Sequence, residues 1–314
     1  MELHTENKGH NIDTLCGLFG KSRQAYYQKI KYNYVEVAKA EILLQLIAKE
    51  RKLMPRLGGR KLLYKISPQL PSDLQMGRDK FFDFLREHKL LVRRKRYRAI
   101  TTMSSHWLRK YPNLIRDLVP TGPNQLWVSD ITYVVTVQGF VYLFLITDAY
   151  SRKIIGWCIS QTLEAKNAIM ALNMALSQLP IGIKNITHHS DRGVQYCSEK
   201  YVKILKKNDF KISMTENGDP LENAIAERVN GILKDEWINE LKLKNIKEAM
   251  TQIRNIIRIY NNERPHGSIE MLTPQQAHNR SGELKRYWKN YWKKKNPEVS
   301  EESIGQGKCI NTIG

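Results

Sequence analysis

The chain has 314 residues, 41% of them hydrophobic, and its 51 Lys and Arg against 31 Asp and Glu give a formal charge of +20. That length accommodates a folded core plus a smaller appended region, and the charge points to a polyanionic partner over a basic membrane binder or an ordinary soluble protein. No run of eighteen apolar residues is present, the opening MELHTENKGHNID is polar, and Cys16, Cys158, Cys197 and Cys309 are scattered without a CxxC pair. These features argue against a membrane-spanning or secreted chain, a zinc cage or a disulfide framework, and predict a cytoplasmic protein with reduced thiols.

The positive charge is concentrated early: residues 1 to 120 hold 25 Lys and Arg against 11 acids, an excess of 14. Within residues 1–55, IDTLCGLFG places Ile12, Leu15, Leu18 and Phe19 on one helical face. The pattern breaks at Gly20 and restarts with Ser22 as N-cap. These are helix-turn-helix proportions, with Arg23, Gln24 and Tyr27 at the start of the second helix where DNA would be reached. An αα-hairpin that only packs fits the same pattern. A longer amphipathic helix is predicted from Val35 to Leu53, with Ile42, Leu43, Leu46 and Ile47 as its stripe.

A second helical unit, residues 56–100, follows the Gly58-Gly59 turn and opens with the basic pair Arg60 and Lys61. Phe81, Phe82, Phe84 and Leu85 read as its core. Beyond them LVRRKRYRA carries Arg93, Arg94, Lys95, Arg96 and Arg98, five cations in six positions, which favours a backbone-tracking segment on DNA. Residues 101–123, with Pro112, Pro120 and Pro123, read as a linker. From 124 to 280 the predicted order is β-β-β-α-β-α-β-α. It comprises strands over 126–137, 140–148 and 152–160, a helix over 164–179, a strand ending at Asp191, a helix over 198–207, the strand KISMT and a final helix around Glu227. Residues 281–314 form a basic tail containing KRYWKNYWKKK, either a further DNA or subunit contact or a weakly ordered end.

Three carboxylates stand in contexts suited to metal-assisted phosphoryl transfer. Asp130 lies in a strand dense in β-branched residues, Val128, Ile131, Val134, Val135 and Val137, where an unpaired charge is costly to bury. Asp191 ends the short strand in NITHHSDRGVQY, and Gly193 turns the chain away. Glu227 lies on a helix whose apolar positions are Leu221, Ile225, Val229, Ile232 and Leu233. Two strand aspartates and a helix glutamate can hold a pair of Mg²⁺ ions, hard cations that prefer carboxylate oxygen and leave positions open for water and phosphate. Spacing alone is weak, because any chain this acidic contains such triples.

The flanking segments add what spacing lacks. WVSDITYV, GFVYLFLITDAYSRKIIGW, HHSDRGVQY, ENAIAERVNGILKDEW, YNNERPHGSI and TPQQAH, in this order over residues 120 to 280, resemble transposases of the insertion-sequence-three family, within the DDE and retroviral integrase superfamily. The resemblance implies an α/β fold: a ribonuclease H-like integrase catalytic core preceded by an all-α, helix-turn-helix-type DNA-binding region. It implies Asp130, Asp191 and Glu227 as catalytic and metal-binding residues, two Mg²⁺ ions replaceable by Mn²⁺, and a basic residue contacting the DNA end at Lys234. The matching position of Asp148 is not catalytic, and a turn cap beside Ser151 is expected there. Glu222 replaces the more usual aspartate, which leaves Glu227 in register.

Around the acids, Arg192 either meets phosphate or caps a turn. His188 and His189 alternate, one into the core and the other toward metal-bound phosphate. Asn223 and Asn230, at i−4 and i+3 from Glu227, are placed to order substrate or water. The implied reaction is hydrolysis at each element end followed by attack of the freed 3′-hydroxyl, first on the same strand at the opposite end to give a circle that is later inserted. The implied partners are double-stranded DNA, both terminal inverted repeats and target, and a homo-oligomer in a synaptic complex associated with the nucleoid. In this family an upstream-frame helix-turn-helix protein precedes the catalytic part, so the chain reads as the downstream product alone or as a variant without that partner. Two other readings share parts of the pattern: a ribonuclease H-like nuclease without strand transfer, and a non-catalytic DNA-binding regulator.

Overall fold

The structure, a computed structural model, describes residues 11–92, 107–116, 118–216 and 223–284. Arg93, Arg94, Lys95, Arg96, Arg98, Leu221, Glu222, Cys309 and the C-terminal KRYWKNYWKKK lie outside the described residues.

Helix α1, Ile12–Leu18, is capped by Asn11 and ends before Gly20, whose φ of 62° provides the left-handed turn. Ser22 Oγ then accepts from Ala25 N at 3.1 Å and starts α2, Arg23–Leu53, in the predicted place. The helix that starts after Ser22 and the one predicted from Val35 to Leu53 are one element: α2 runs 31 residues without interruption, because no Gly or Pro occurs between Arg23 and Leu53. The predicted apolar face of the first helix is also not buried, since Leu18 and Phe19 are 76% and 63% exposed and Cys16 turns inward instead. The buried residues of α2 lie in its C-terminal half. Leu43 and Ile47 join Leu62 and Ile66 of α3, Gly59–Ile66, and Phe81 and Leu85 of α4, Arg78–Glu87, in a core shared with the sheet region.

The strands β1, Leu126–Thr136, β2, Gly139–Asp148, β3, Ile154–Ser160, β4, Thr187–Ser190, and β5, Lys211–Met214, form one sheet in the order β3-β2-β1-β4-β5. The first three pair antiparallel, while β1, β4 and β5 are parallel neighbours, which is the ribonuclease H-like arrangement. Period-two alternation sends Trp127, Phe144 and Ile146 to one face, under α5, Ala165–Ser177, and α7, Glu199–Lys207. A four-residue turn of helix, α6, Val194–Cys197, precedes α7. The other alternation set, Val134, Leu143 and Leu145, packs under α8, Ala224–Glu236, and α9, Ile246–Asn262. Close approach of α5 to β3 explains Gly156, where an added Cβ would lie 2.2 Å from Ala171 O. The short α10, Pro274–His278, closes the described chain with a Thr273–Gln276 capping box.

Within the described part of the predicted linker, residues 112 to 114 are bound to the sheet. Met214 N donates to Pro112 O at 3.2 Å and Leu114 N to Ser213 Oγ at 2.8 Å, so this segment covers the outer edge of β5. Asp148 is fully buried and accepts from Ser151 N, Ser151 Oγ and Asn124 N at 2.8, 2.6 and 2.7 Å, the turn cap expected of it.

Candidate active site

Parallel pairing brings the first two acids together. The last registered pair of β1 and β4 is Ser129 with Ser190, so Asp130 and Asp191 are the next residues on adjacent strands, whose spacing is about 4.7–4.9 Å. Beneath them Ser129 Oγ and Tyr201 OH both reach His188 Nε2, at 2.8 and 2.9 Å, which ties β1, β4 and α7 into one buried support. Asp191 Oδ1 accepts from Gly193 N at 3.0 Å, where a Cβ on Gly193 would crowd the same oxygen.

Helix α8 brings the third. Asn223 Nδ2 donates to Ser129 O at 3.2 Å and Asn230 Nδ2 donates to Asp130 Oδ2 at 2.7 Å. Positions 223, 227 and 230 share a helical face, so these two anchors on neighbouring residues of β1 direct Glu227 at the aspartates. Both asparagines use Nδ2 on protein groups, while each Oδ1 is buried without a protein partner.

Electrostatics agree with this convergence. Asp130 is pushed up to about 7, first by burial and then by Asp191, with a smaller contribution from Glu227; the bonds from Asn230 and Ile131 N act in the opposite direction. Glu227 is raised by burial and by Asp191. Among the described residues no three His, Cys, Asp or Glu side chains form a ready-made metal cage. The acids thus feel one another's charge without forming a closed cluster.

Lys234 lies half-buried two turns beyond Glu227, its Nζ 3.9 Å from the centroid of the Tyr133 ring. Burial lowers its pKa while Asp130 and then Asp235 oppose that shift. Arg192 is half-buried beside Asp191. His188 and His189 are both core residues, 1% and 0% exposed, and neither faces phosphate. Burial, then His189, lowers the pKa of His188 to about 3, so it is neutral near pH 7. His189 Nδ1 bonds Ser213 Oγ at 2.8 Å.

Of the early cations, Arg23, Gln24 and Tyr27 are exposed at the start of α2, with Arg23 3.6 Å from Asp13, and Arg60 is exposed on α3. Lys61 is a correction: it turns inward to Glu236 at 3.8 Å, and burial followed by Arg264 lowers its pKa to about 8. Glu236 also receives Arg264 Nε and Nη2 at 2.8 and 2.6 Å, and Arg264 is completely buried. Asn261 exchanges two bonds with the backbone of Ile154, at 3.0 and 2.9 Å. The YNNERPHGSI segment is thus a clamp that holds α9 to β3 and α8, a role that its sequence alone did not disclose.

Comparison with known proteins places this geometry in a family. The integrase core domain family matches residues 120–220, and a second integrase core domain family matches residues 208–274. A 31 kDa protein of insertion element IS600 from Shigella sonnei is 34% identical over 265 residues, covering 83% of this chain and 96% of that protein. The transposase InsF of insertion sequence IS3A from Escherichia coli (strain K12) is 34% identical over 199 residues, 63% of this chain and 69% of its own. The chain belongs to the insertion-sequence-three family of DDE transposases. This transposase acts, as the family does, in insertion-sequence transposition, as a polynucleotidyl transferase. Among solved structures, the catalytic core of HTLV-2 integrase in complex with magnesium is 18% identical, covering 51% of the transposase and 100% of that core, with a TM-score of 0.41. No helix among the described residues is long and apolar enough to cross a membrane.

Proposed function

We propose that Asp130, Asp191 and Glu227 are the catalytic carboxylates of this transposase, that they hold two Mg²⁺ ions, for which Mn²⁺ can substitute, and that they cleave and join DNA at the ends of its insertion sequence. One observation carries the assignment: Asn223 and Asn230 bracket Glu227 and both bond β1 at Ser129 and Asp130, the strand position beside Asp191. The donor set fits a hard divalent cation, because it is all carboxylate and Asp191 raises the pKa of both Asp130 and Glu227, a repulsion that a shared cation would relieve. When bound, such ions supply Lewis-acid stabilisation to the attacking and leaving oxygens.

The protein's own groups do the positioning. Asn230 and Ile131 N hold the two oxygens of Asp130, and Gly193 N holds Asp191. Lys234 supplies positive charge for the DNA end, and Arg192 is proposed to face phosphate. In the first step water attacks phosphorus and the bridging oxygen departs as a 3′-hydroxyl. In the second, that hydroxyl attacks another phosphodiester, exchanging one P–O bond for another without a covalent protein intermediate. Arg23, Gln24, Tyr27 and Arg60, with the run Arg93 to Arg98, are proposed to grip DNA, a division of labour in which phosphate neutralisation sets affinity. Two ends must be held together, so a homo-oligomer on terminal repeats and target DNA is the proposed working form.

Labelled element ends incubated with target DNA and Mg²⁺ test this reading. The parent protein is expected to give joined products, with Asp191→Asn and Glu227→Gln each at least about 10²-fold slower, the scale of losing one preorganised electrostatic group. Cleavage without joining would favour the simple nuclease, and unchanged rates in both variants would remove the assignment.

A further inference from the structure

A cleft of about 560 Å³ opens over Asp130 and Asp191, and its remaining lining is largely apolar: Ile131, Tyr133, Phe140, Tyr142, Leu163 and Val194. Phosphates are recognised by cations and N–H donors, so this wall is the wrong chemistry for the DNA backbone. It is the right chemistry for the flat face of a base.

Tyr133 is the best-placed surface within it. It follows Asp130 by three residues on the same strand, so the two side chains leave β1 on opposite faces and share the cleft around the strand edge that β4, paired only as far as Ser129, leaves free. Its ring makes an edge-to-face pair with Phe140, centroids 5.5 Å apart at 88°, and carries Lys234 Nζ at 3.9 Å. Tyr133 also lines the neighbouring groove that contains Lys234 and Asp235, so it stands between the acid cleft and the cation. Phe140, at the start of β2, is 60% exposed, which leaves the aromatic pair open to a ligand.

A phosphodiester held at Asp130 and Asp191 carries nucleotides on both sides. Their bases must go somewhere when the strand leaves the duplex to reach one acid within β1 and another just past the end of β4. The volume leaves ample room for a base, and the rim already contains the stacking partners.

We infer that Tyr133, braced by Phe140 and Lys234, is a stacking platform for one unstacked nucleobase next to the scissile phosphate, so that a terminal base pair opens as the strand enters the site. Opening a pair costs stacking energy, and the aromatic face offsets that cost. The inference rests on the assignment of Asp130, Asp191 and Glu227 as the catalytic acids. Tyr133 is on this account a positioning residue that acts on the base and not on the reacting atoms.

The test is a cycle between protein and DNA. Duplexes carrying the terminal repeat of the element, intact or with one abasic residue at each position flanking the scissile phosphate, are cleaved under single-turnover conditions in Mg²⁺ by the parent, Tyr133→Ala, Tyr133→Trp and Phe140→Ala. Tyr133→Ala is expected to slow cleavage of intact ends by about 5- to 150-fold, the range for alanine removal of a base-stacking ring. One abasic position should slow the parent similarly, and at that position Tyr133→Ala should cause no further loss. Tyr133→Trp should recover most of the rate. Phe140→Ala, at an exposed site that cannot unfold the core, should show a weaker loss with the same abasic dependence. Losses that multiply at every abasic position, as expected if the wall seats another protein chain or only supports the fold, would overturn the platform. So would an unchanged rate in both alanine variants. Asp191→Asn run alongside separates the two claims, since its activity reports on the acids and the abasic pattern of the parent reports on the base.

Discussion

Replacing Asp130 by Asn should stabilise the metal-free protein while sharply weakening its response to Mg²⁺. In the native state this carboxyl is pushed up to about 7 from 3.8 by burial and by Asp191. Between those two values the folded protein keeps the proton that the unfolded chain has lost. The contribution of Asp130 to stability is therefore most favourable near pH 4 and declines as the pH rises to about 7. Three pH units correspond to a ceiling of about 4 kcal/mol. Solvent reaching the half-buried residue and local relaxation bring the observable effect to about 1–2 kcal/mol. Asn at this position still accepts from Asn230 Nδ2 and carries no charge, so it should melt about 2–8 °C above the parent at pH 8 in EDTA. The difference should shrink toward pH 4. Adding Mg²⁺ should raise the parent's melting temperature through preferential binding to the folded state, and the variant's much less. Scanning melts from pH 4 to 8, with EDTA or with Mg²⁺, decides the matter. Equal melting curves in EDTA across the range, or a variant less stable than the parent at pH 8, would refute the electrostatic account.

Two further substitutions probe the supports of the site. Asn230→Ala removes the 2.7 Å donor to Asp130 Oδ2, and the Mg²⁺ concentration for half-maximal cleavage should rise about 10- to 100-fold, with the maximal rate largely recovered at saturation; an unchanged metal dependence would deny Asn230 this role. Arg264→Ala strips a completely buried guanidinium from Glu236 and should cost about 3–5 kcal/mol in urea unfolding, whereas Arg264→Met combined with Glu236→Leu should restore most of that loss. If the single variant is as stable as the parent, the clamp between α8 and the segment after α9 is not energetically significant.

Much of the scaffold was legible because its signals are local. Alternation marked β1, β2 and β3 within a few residues of their ends, Ser22 marked the start of α2, and the turn chemistry of Asp148 and Ser151 followed from a strand end. The continuity of α2 was missed although the signal was present, since the absence of Gly and Pro from Arg23 to Leu53 removes any reason for two separate helices. Lys61 read as a DNA contact because a basic helix start looks the same whether it faces solvent or Glu236. Asn230 and Asn223 were found by spacing, but their Nδ2 partners were not, because these lie about a hundred residues earlier on β1.

What the sequence by itself determined is the candidate set of acids and the kind of element that carries each: two at strand positions and one on a helix, within motifs that resemble one family. Their convergence was decided by tertiary structure. The parallel register of Ser129 with Ser190 and the two asparagine anchors of α8 are pairings between distant segments, which no local period encodes. The two histidines show the same limit. Alternation correctly sends His188 and His189 to opposite faces, but β4 lies between β1 and β5 and is covered on both sides, so both side chains are buried. A strand's period says which residues part company; only the layers packed above and below decide which of them meets water.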